Sequence, residues 1–249
     1  MTKVLITGMS GLIGGLLRMH LESRGGYELV ALNRRPVQGV PCFRADIADL
    51  EAIKRAFREV DVVVHLAAQV QDEPWEGLLR TNIIGTYNVY EAARLARVRR
   101  VVFASSGSTV TGYEQVPPYD AIAAGRYDEV PLDYRRLTYE AIWPTGTYGA
   151  SKVWGEALGR HFSDAHGLSV LCVRVGRVTP DNMPWEPRDR SVYLSHDDVA
   201  EILTLCIEAP ENLKYDVFLA TSANRWSYRD LEHAREVLGF VPVDSADDM

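Results

Sequence analysis

Along the chain, short runs of apolar residues alternate with segments in which apolar residues recur about every 3.6 positions. The runs are bounded by turn residues and rich in β-branched side chains, which is typical of buried strands. They cover residues 3–7, 28–32, 61–66, 100–105, 169–175 and 216–220. The periodic segments predict helices at residues 12–24, 50–60, 75–97, 148–166, 196–208 and 227–238. Because strands alternate with helices, we predict a doubly wound α/β fold with a parallel sheet.

The composition is that of an ordinary globular protein. The chain has 249 residues, of which 47% are hydrophobic and 24% charged, and this content excludes the disordered and collagen-like classes. The formal net charge of −7 opposes a surface that binds nucleic acid. No apolar run approaches the about 18 residues of a membrane span, and no signal peptide precedes the first strand. We therefore expect no membrane partner and a cytoplasmic location.

The three cysteines, Cys42, Cys172 and Cys206, are far apart in sequence and show no C-x-x-C spacing. This pattern favours neither a disulfide framework nor a zinc site. We interpret them as small buried apolar residues and expect no metal.

Two segments suggest local structure of a particular kind. Residues 113–147 lack clear periodicity and contain four prolines, and a connection of this length is typical of a lid, a binding loop or a disordered segment. We predict that it covers the active site. Ser195 and Asp198 stand at the two ends of a capping-box pattern before a periodic run, so we favour a structural role over a catalytic one for His196.

A glycine-rich turn follows the first predicted strand and opens the first predicted helix. Glycine at positions 8, 11 and 14 permits a tight turn, a close approach of the backbone to a pyrophosphate, and close packing of helix on strand. The start of the helix then presents free N–H groups to the phosphates. This pattern predicts dinucleotide binding in a Rossmann fold, by Gly8, Gly11, Leu12, Ile13 and Gly14.

The end of the second strand indicates which dinucleotide fits. A carboxylate at this place binds the 2′-hydroxyl of NAD, but the chain has Asn33, followed by Arg34 and Arg35. Guanidinium groups suit a 2′-phosphate, so we favour NADP over NAD. Asp46 and Ile47 are expected near the adenine, with a helix-capping role for Asp46 as an equal alternative.

The candidate catalytic groups are Tyr148, Lys152 and Ser106. Tyr148 and Lys152 are four residues apart at the start of a predicted helix and therefore share one helix face. A nearby ammonium lowers the pKa of a tyrosine from its reference value of about 10, which makes Tyr148 a candidate general base. Ser106 ends a predicted strand at the edge of the sheet where α/β proteins bind their ligands.

Together these motifs resemble the extended short-chain dehydrogenases/reductases, the branch that includes epimerases and dehydratases, and within it the uronate dehydrogenases. The resemblance covers nearly the whole chain. The segments that carry it are residues 7–14, 65–68, 81–94, 102–106, 148–152 and 194–198.

The resemblance implies a hydride transfer between a sugar carbon and the nicotinamide. Tyr148 would take the hydroxyl proton, Lys152 would hold the ribose and tune Tyr148, and Ser106 would position the substrate oxygen. Further implied cofactor-binding residues are Leu66, Ala67, Ala68, Asn82 and Val175. Substrate contacts are implied at Gly107, Ser108, Arg177 and Arg188. Arg188 falls where uronate dehydrogenases hold the substrate carboxylate, a task suited to a guanidinium, with a solvated loop arginine as the alternative.

The chain also departs from that pattern. Uronate dehydrogenases have an acidic residue at the place of Asn33, polar residues at the places of Val70, Gly107 and Ser108, and a small hydroxyl residue at the place of Arg177. The chemistry therefore carries over better than the substrate does. A sugar or sugar-nucleotide epimerase or dehydratase, and a non-catalytic NADP-sensing protein, remain alternatives.

For the organisation of the chain, we expect a nucleotide-binding domain at residues 1–172 and a small substrate-binding portion at residues 173–249. By analogy with the family, the predicted helices at residues 75–97 and 148–166 would form a homodimer.

Overall fold

Seven parallel strands form one sheet in the computed structural model, which describes residues 1–70, 72 and 74–249. The strands are β1 (Thr2–Thr7), β2 (Tyr27–Asn33), β3 (Cys42–Arg44), β4 (Val62–His65), β5 (Arg100–Ser106), β6 (Ser169–Val175) and β7 (Tyr215–Ala220). Their order across the sheet is β3, β2, β1, β4, β5, β6, β7. The chain therefore starts in the middle of the sheet, winds outward to β3, and returns across β1 to wind the other way. This confirms the predicted doubly wound α/β fold.

Helices cover both faces of the sheet. They are α1 (Leu12–Arg24), α2 (Leu50–Ile53), α3 (Trp75–Leu78), α4 (Thr86–Leu95), α5 (Tyr119–Ala123), α6 (Thr147–His166), α7 (Asp189–Val192), α8 (His196–Glu208) and α9 (Glu232–Leu238). Short 3₁₀ turns lie at Lys54–Phe57, Gly107–Thr109, Thr111–Gln115, Tyr127–Glu129 and Ala246–Asp248. None of the described helices is long and apolar enough to cross a membrane.

The two hydrophobic layers follow from the alternation of side chains along each strand. In β1, Val4 and Ile6 pack against α1 and α8, whereas Leu5 between them packs in the layer that contains Tyr90 of α4 and Phe162 of α6. Since the strands between the edges are covered on both sides, most of their residues are apolar, with polar exceptions such as Arg174 in β6 and Ser105 in β5. That is why apolar runs predict these strands well.

Three predicted helices differ from the observed ones. The segment predicted as one helix at residues 75–97 is α3, then a π-helical stretch at Leu79–Gly85, then α4. A π-helical stretch re-aims side chains within a helix and is frequent at functional sites. The helix predicted at 50–60 ends at Ile53 and continues as a 3₁₀ turn, and the one predicted at 227–238 begins only at Glu232.

Strand β3 was not predicted. It has three residues, all at least partly exposed at the edge of the sheet, so it leaves no apolar run in the sequence.

Ser195 caps α8 as predicted, but the capping box does not close. The Ser195 hydroxyl accepts the Asp198 N–H at 3.1 Å. Asp198 turns away to accept the Ser222 hydroxyl at 2.5 Å and the Val243 N–H at 2.8 Å, and the Ser195 N–H donates to Ser222. His196 donates its N–H to Asn182 and has its ring at the Thr179 carbonyl, which is a structural role.

The segment at residues 113–147 is folded against the C-terminal part of the chain. Ile122, Val130 and Leu137 form a small hydrophobic cluster with Val192 and Tyr228. No residue of this segment is among the described residues that line the cavity presented below. The lid role remains a prediction. So does the domain division at residue 172, although β6 runs through that boundary and β7 belongs to the same sheet.

Candidate active site

The carboxyl ends of the strands meet at one large cavity, of about 1170 Å³. Residues from the ends of β2 and β5 and from the loops after β1, β4 and β6 line it. The cavity lies where the winding of the sheet reverses, between β1 and β4, which is where open α/β sheets bind ligands. All but one of the predicted site residues line it: Gly8, Gly11, Leu12, Ile13, Gly14, Asn33, Arg34, Arg35, Asp46, Ile47, Leu66, Ala67, Ala68, Ser106, Gly107, Ser108, Tyr148, Lys152, Val175, Arg177 and Arg188.

The glycine turn is shaped to hold a pyrophosphate. Gly8 has φ 74°, and a Cβ atom on it would lie 2.9 Å from the Ala67 nitrogen. A Cβ atom on Gly14 would lie 2.6 Å from the Gly8 carbonyl oxygen. Helix α1 begins after Gly11, and no side chain caps it, so the N–H groups of its first turn are available to an anion. The residues present therefore fit a dinucleotide cofactor.

At the end of β2, Asn33 holds the turn and offers an acceptor to the cavity. Its Nδ2 donates to the Ser10 hydroxyl at 2.6 Å, and its Oδ1 is buried without a hydrogen-bond partner among the described residues. Arg34 and Arg35 are exposed at the rim of the cavity. An unpartnered buried acceptor is costly, so a ligand hydroxyl or N–H is expected opposite Oδ1.

Asp46 lines the cavity and does not cap a helix. Asp49 caps α2 instead, by accepting the Ala52 N–H at 3.1 Å. Asp46 accepts the Ala48 N–H at 2.9 Å and the Nε of Arg80 at 3.0 Å. Burial raises the pKa of Asp46, but these hydrogen bonds outweigh it and hold the pKa below its usual value.

Behind the cofactor turn, His65 joins three elements of the fold. Its Nδ1 lies 2.8 Å from the Thr7 hydroxyl on β1, and its Nε2 lies 3.2 Å from the Thr86 hydroxyl on α4. Burial, together with the charge of Lys152, lowers the pKa of His65 to about 3. The ring is therefore neutral and acts as a structural bridge.

Asn82 is the one predicted cofactor-binding residue that does not line the cavity. It lies in the π-helical stretch and is buried. Its side chain accepts the Gln69 N–H at 2.8 Å and donates to the Gln69 carbonyl at 2.9 Å and to the Ser151 hydroxyl at 3.0 Å. Because these bonds use its donors and its acceptor, Asn82 fixes the loop after β4 against α6. Thr81, its neighbour, lines the cavity instead.

Tyr148, Lys152 and Ser106 come together as predicted. Lys152 is buried and donates to the Ala104 carbonyl at 2.7 Å, and its Nζ lies 5.6 Å from the centre of the Tyr148 ring. Ser106 accepts the Ser108 N–H at 3.1 Å and donates to the Ser108 hydroxyl at 3.1 Å. Ser106 also lies close enough to the Tyr148 hydroxyl to act on the pKa of that phenol. Residues with a phenol, a hydroxyl and an ammonium thus line the same cavity.

The pKa of Tyr148 is shifted in the direction opposite to the prediction. Burial raises it above its usual value, and the nearby Ser106 side chain opposes this. In the protein without cofactor, Ser106 and not Lys152 is the group that lowers the pKa of Tyr148. Burial also lowers the pKa of Lys152 to about 8, against the raising effect of Glu156.

The start of α6, which carries Tyr148 and Lys152, is fixed by a side chain from another segment of the chain. Helix α6 has Gly146 at its N-cap, with no side-chain cap of its own. The Asp72 carboxylate takes that place by accepting the Tyr148 N–H at 2.6 Å and the Thr147 hydroxyl at 2.8 Å. A carboxylate at a helix N-terminus is stabilised by the helix dipole, so Asp72 fixes the backbone that carries Tyr148.

At the substrate end of the cavity, two of the predicted arginines are already paired. Arg188 forms two hydrogen bonds to the Glu114 carboxylate, at 2.7 and 2.8 Å, and Arg177 lies 3.7 Å from the Asp189 carboxylate. Arg229, which is not among the predicted site residues, also lines the cavity. It lies in a predicted helix far along the chain, and no motif marks it.

The comparisons with known proteins agree with this geometry. The model of the NAD dependent epimerase/dehydratase family matches residues 4–195. An NAD-dependent glucose-6-phosphate dehydrogenase of Haloferax volcanii is 34% identical, covering 98% of this chain and 94% of that protein. A uronate dehydrogenase of Agrobacterium fabrum is 33% identical, covering 99% and 86%.

The fold matches solved structures of this class. A mutant of a uronate dehydrogenase from Agrobacterium tumefaciens, complexed with NAD, superimposes with a TM-score of 0.82 at 31% identity, covering 99% of this chain and 86% of that one. The family match spans more than half of the chain and includes the glycine turn, Ser106 and the pair of Tyr148 and Lys152. The resemblance inferred from the motifs is confirmed, and the chain belongs to the NAD-dependent epimerase/dehydratase family.

Proposed function

We propose that this protein is an NAD(P)-dependent dehydrogenase that oxidises a hydroxyl of a sugar or sugar acid, or reduces the corresponding carbonyl. The observation that carries the proposal is the contact of Tyr148 with Ser106, beside Lys152, in the same cavity as the glycine turn. The named relatives are dehydrogenases of a sugar phosphate and of uronates, which supports this substrate class.

Each residue has a distinct task in the oxidation. The Ser106 hydroxyl holds the substrate oxygen, and the Tyr148 oxygen takes its proton. Lys152 does not lower the pKa of Tyr148 in the unliganded protein, and we propose that its ammonium favours the phenolate once cofactor and substrate fill the cavity. A nicotinamide bound in this cavity would supply the acceptor for the hydride of the sugar carbon. Residues of the glycine turn, with Ala67 and Ala68 beside them, would hold the pyrophosphate end of the cofactor.

The experiment is an absorbance assay for reduced nicotinamide. The protein is mixed with NAD⁺ or NADP⁺ and with D-glucuronate, D-galacturonate, D-glucose 6-phosphate or L-arabinose. We expect growth of the signal with at least one sugar and none for Tyr148→Phe, which should still bind the reduced cofactor. A flat trace with every sugar, together with normal cofactor binding, would contradict the dehydrogenase and favour an epimerase that returns its hydride to the substrate.

We further propose that the cofactor is NADP in preference to NAD. Arg34 and Arg35 are exposed at the cavity rim beside Asn33, and no acidic side chain ends β2 to repel a 2′-phosphate. The buried acceptor Oδ1 of Asn33 would suit a ribose hydroxyl, so NAD is expected to bind as well, more weakly. Fluorescence titration with NADPH and NADH tests this order, and equal dissociation constants would contradict it.

Finally, we propose a cytoplasmic homodimer formed by α4 and α6. These helices lie side by side, and the surface at α4 and just before it exposes Ile84, Tyr87 and Leu95. Apolar side chains grouped on one surface are typical of an interface. The free thiols of Cys42, Cys172 and Cys206 suit a reducing compartment. Light scattering should give twice the mass of the chain for the wild type, and half of that for Tyr87→Glu.

A further inference from the structure

Behind Gly107 lies an arginine whose charge has no partner among the described residues. Arg229 is 1% exposed and lines the cavity, and its Nε and Nη1 form no hydrogen bond. The aromatic ring of Tyr228 is near it, with its centre 5.6 Å from the guanidinium carbon. A buried guanidinium without a hydrogen-bond acceptor is destabilising, because the hydrogen bonds that it made to water are not replaced by bonds to the protein.

The other arginines at this end of the cavity are neutralised by the protein itself. Arg188 is paired with Glu114, and Arg177 lies near Asp189. The Tyr228 hydroxyl also donates to the Glu114 carboxylate, which leaves that carboxylate fully engaged. Arg229 is therefore the cation of this group for which the described part of the chain provides no acid.

Gly107 makes the place of Arg229 possible. A Cβ atom at position 107 would lie 2.0 Å from Nη2 of Arg229, so any side chain there would displace the guanidinium. Gly107 does not have a positive φ, so the backbone conformation does not require glycine at this position. The absence of a side chain at position 107 thus leaves room for the Arg229 guanidinium.

The position favours a ligand on the substrate side. Gly107 directly follows Ser106, whose hydroxyl contacts Tyr148, so the Arg229 guanidinium lies one residue away from the reacting groups. The pyrophosphate cradle is on β1, separated from β5 by β4 in the sheet. An anion held at Arg229 therefore belongs to the substrate and not to the phosphates of the cofactor.

We propose that Arg229 binds an anionic group of the sugar substrate, a carboxylate or a phosphate, and so makes the enzyme specific for acidic sugars. The proposal rests on the dehydrogenase function argued above. Both anions present paired oxygens that match the fork of a guanidinium. A neutral sugar would leave the buried charge unpaired, which is the kind of penalty that gives strong discrimination.

The test compares three sugars of one configuration: D-glucuronate, D-glucose 6-phosphate and D-glucose. The variants are Arg229→Gln and, as a matched control, Arg225→Gln, which changes an exposed arginine in the same loop. A hydrogen bond to a charged group corresponds to a loss of about tenfold or more in kcat/KM. We expect that loss, mainly in KM, for the acidic sugar with Arg229→Gln, with no change for glucose, for NADPH binding or for Arg225→Gln. The anion that the wild type prefers identifies the carboxylate or the phosphate as the group bound.

A second variant keeps the proposal testable if Arg229→Gln does not fold. Gly107→Ala leaves the arginine in the chain but pushes its guanidinium aside, and it should cause the same selective loss. Equal losses for the acidic sugar and glucose, or a wild type that prefers glucose, would overturn the Arg229 proposal while the dehydrogenase stands.

If no sugar is oxidised, the dehydrogenase proposal fails. A thermal-shift assay then tests the Arg229 proposal on its own. D-glucuronate or D-glucose 6-phosphate should raise the Tm of the wild type and not that of Arg229→Gln. No shift in the wild type, or equal shifts in both proteins, would overturn the role of Arg229.

Discussion

The Glu156 carboxylate and the Arg174 guanidinium form a fully buried, two-pronged ion pair between α6 and β6. The Nε and Nη2 atoms of Arg174 each lie 2.8 Å from a Glu156 oxygen, and the Ser105 hydroxyl donates to the same carboxylate at 2.5 Å. Glu156 lies one helical turn after Lys152, and Ser105 directly precedes Ser106. The ion pair thus fixes α6, which carries Tyr148, against β6, and the Ser105 hydrogen bond fixes α6 against β5, which carries Ser106.

Replacing Glu156 by Gln should destabilise the protein strongly. The Arg174 charge would remain buried with one of its two carboxylate acceptors replaced by an amide N–H₂ group, and breaking a buried pair in this way costs about 3–5 kcal/mol in the free energy of unfolding. Urea denaturation measures this difference. The control is Arg160→Gln, which breaks an exposed pair with Asp164 on the same helix and should change stability little. A comparable loss in both variants would contradict a special role for the buried pair.

Cofactor binding should depend on Gly14 and not on its neighbour Gly15. A Cβ atom on Gly14 would meet the backbone of Gly8 and Met9 at 2.6 Å, which cannot move without opening the phosphate turn. A Cβ atom on Gly15 would meet nothing within 4 Å. We expect Gly14→Ala to abolish NADPH binding in a fluorescence titration. Gly15→Ala should bind normally and unfold at a higher temperature, because alanine stabilises a helix interior by about 0.5–1 kcal/mol. Normal binding by Gly14→Ala would exclude the turn as the phosphate site.

A single carboxylate at position 33 should shift the preference from NADPH towards NADH. Asn33→Asp replaces the amide at the end of β2 by a group that repels a 2′-phosphate and accepts from a 2′-hydroxyl. We expect the dissociation constant for NADPH to rise by about tenfold or more, with that for NADH unchanged or lower. Arg34→Gln should weaken NADPH in the same selective way. Parallel changes for both cofactors would show that the ribose lies elsewhere.

The motifs predicted most of the residues that line the cavity because each motif depends on local chain geometry. A glycine turn between strand and helix places Gly8, Gly11 and Gly14 together whatever the rest of the fold does, and Tyr148 and Lys152 share a helix face by their spacing alone. The strands other than β3 were equally predictable, since burial on both faces favours apolar runs, whereas the three residues of β3 are partly or fully exposed.

The features that were missed depend on contacts between distant segments. Leu137 forms a backbone bridge with Arg229, so Arg229 lies outside the helix predicted at residues 227–238, which begins only at Glu232. Asn82, expected to help fix the active-site helix, does bond to Ser151 of that helix, but the π-helical stretch that places it there has no sequence signal. The raised pKa of Tyr148 follows from burial, which no spacing of residues reveals.

Stability should fall in acid because of His65. Its pKa in the folded protein is about 3, below the about 6.5 of an unfolded chain. As the pH falls below about 6.5, the unfolded chain takes up a proton that the folded protein refuses, so the free energy of unfolding decreases by up to about 1.4 kcal/mol per pH unit. Urea denaturation between pH 7 and about pH 4 should therefore show a shallower decline for His65→Gln than for the wild type. Equal declines in the free energy of unfolding for the two proteins would mean that His65 is protonated in the folded state.

The pH dependence of turnover should follow Tyr148. Its pKa is raised by burial, so at neutral pH the phenol carries its proton and only a small fraction can act as a base. We expect kcat/KM for sugar oxidation to rise by about tenfold per pH unit through the neutral range, because it reports ionisation in the free enzyme. The reverse reaction needs the protonated phenol, so its kcat/KM should stay level over the same range. Lys152 loses its own proton at about pH 8, and the rise should bend there as the ammonium that favours the phenolate disappears. In Lys152→Met that bend should be absent and the whole curve lower, whereas an oxidation rate that does not change with pH would exclude Tyr148 as the base.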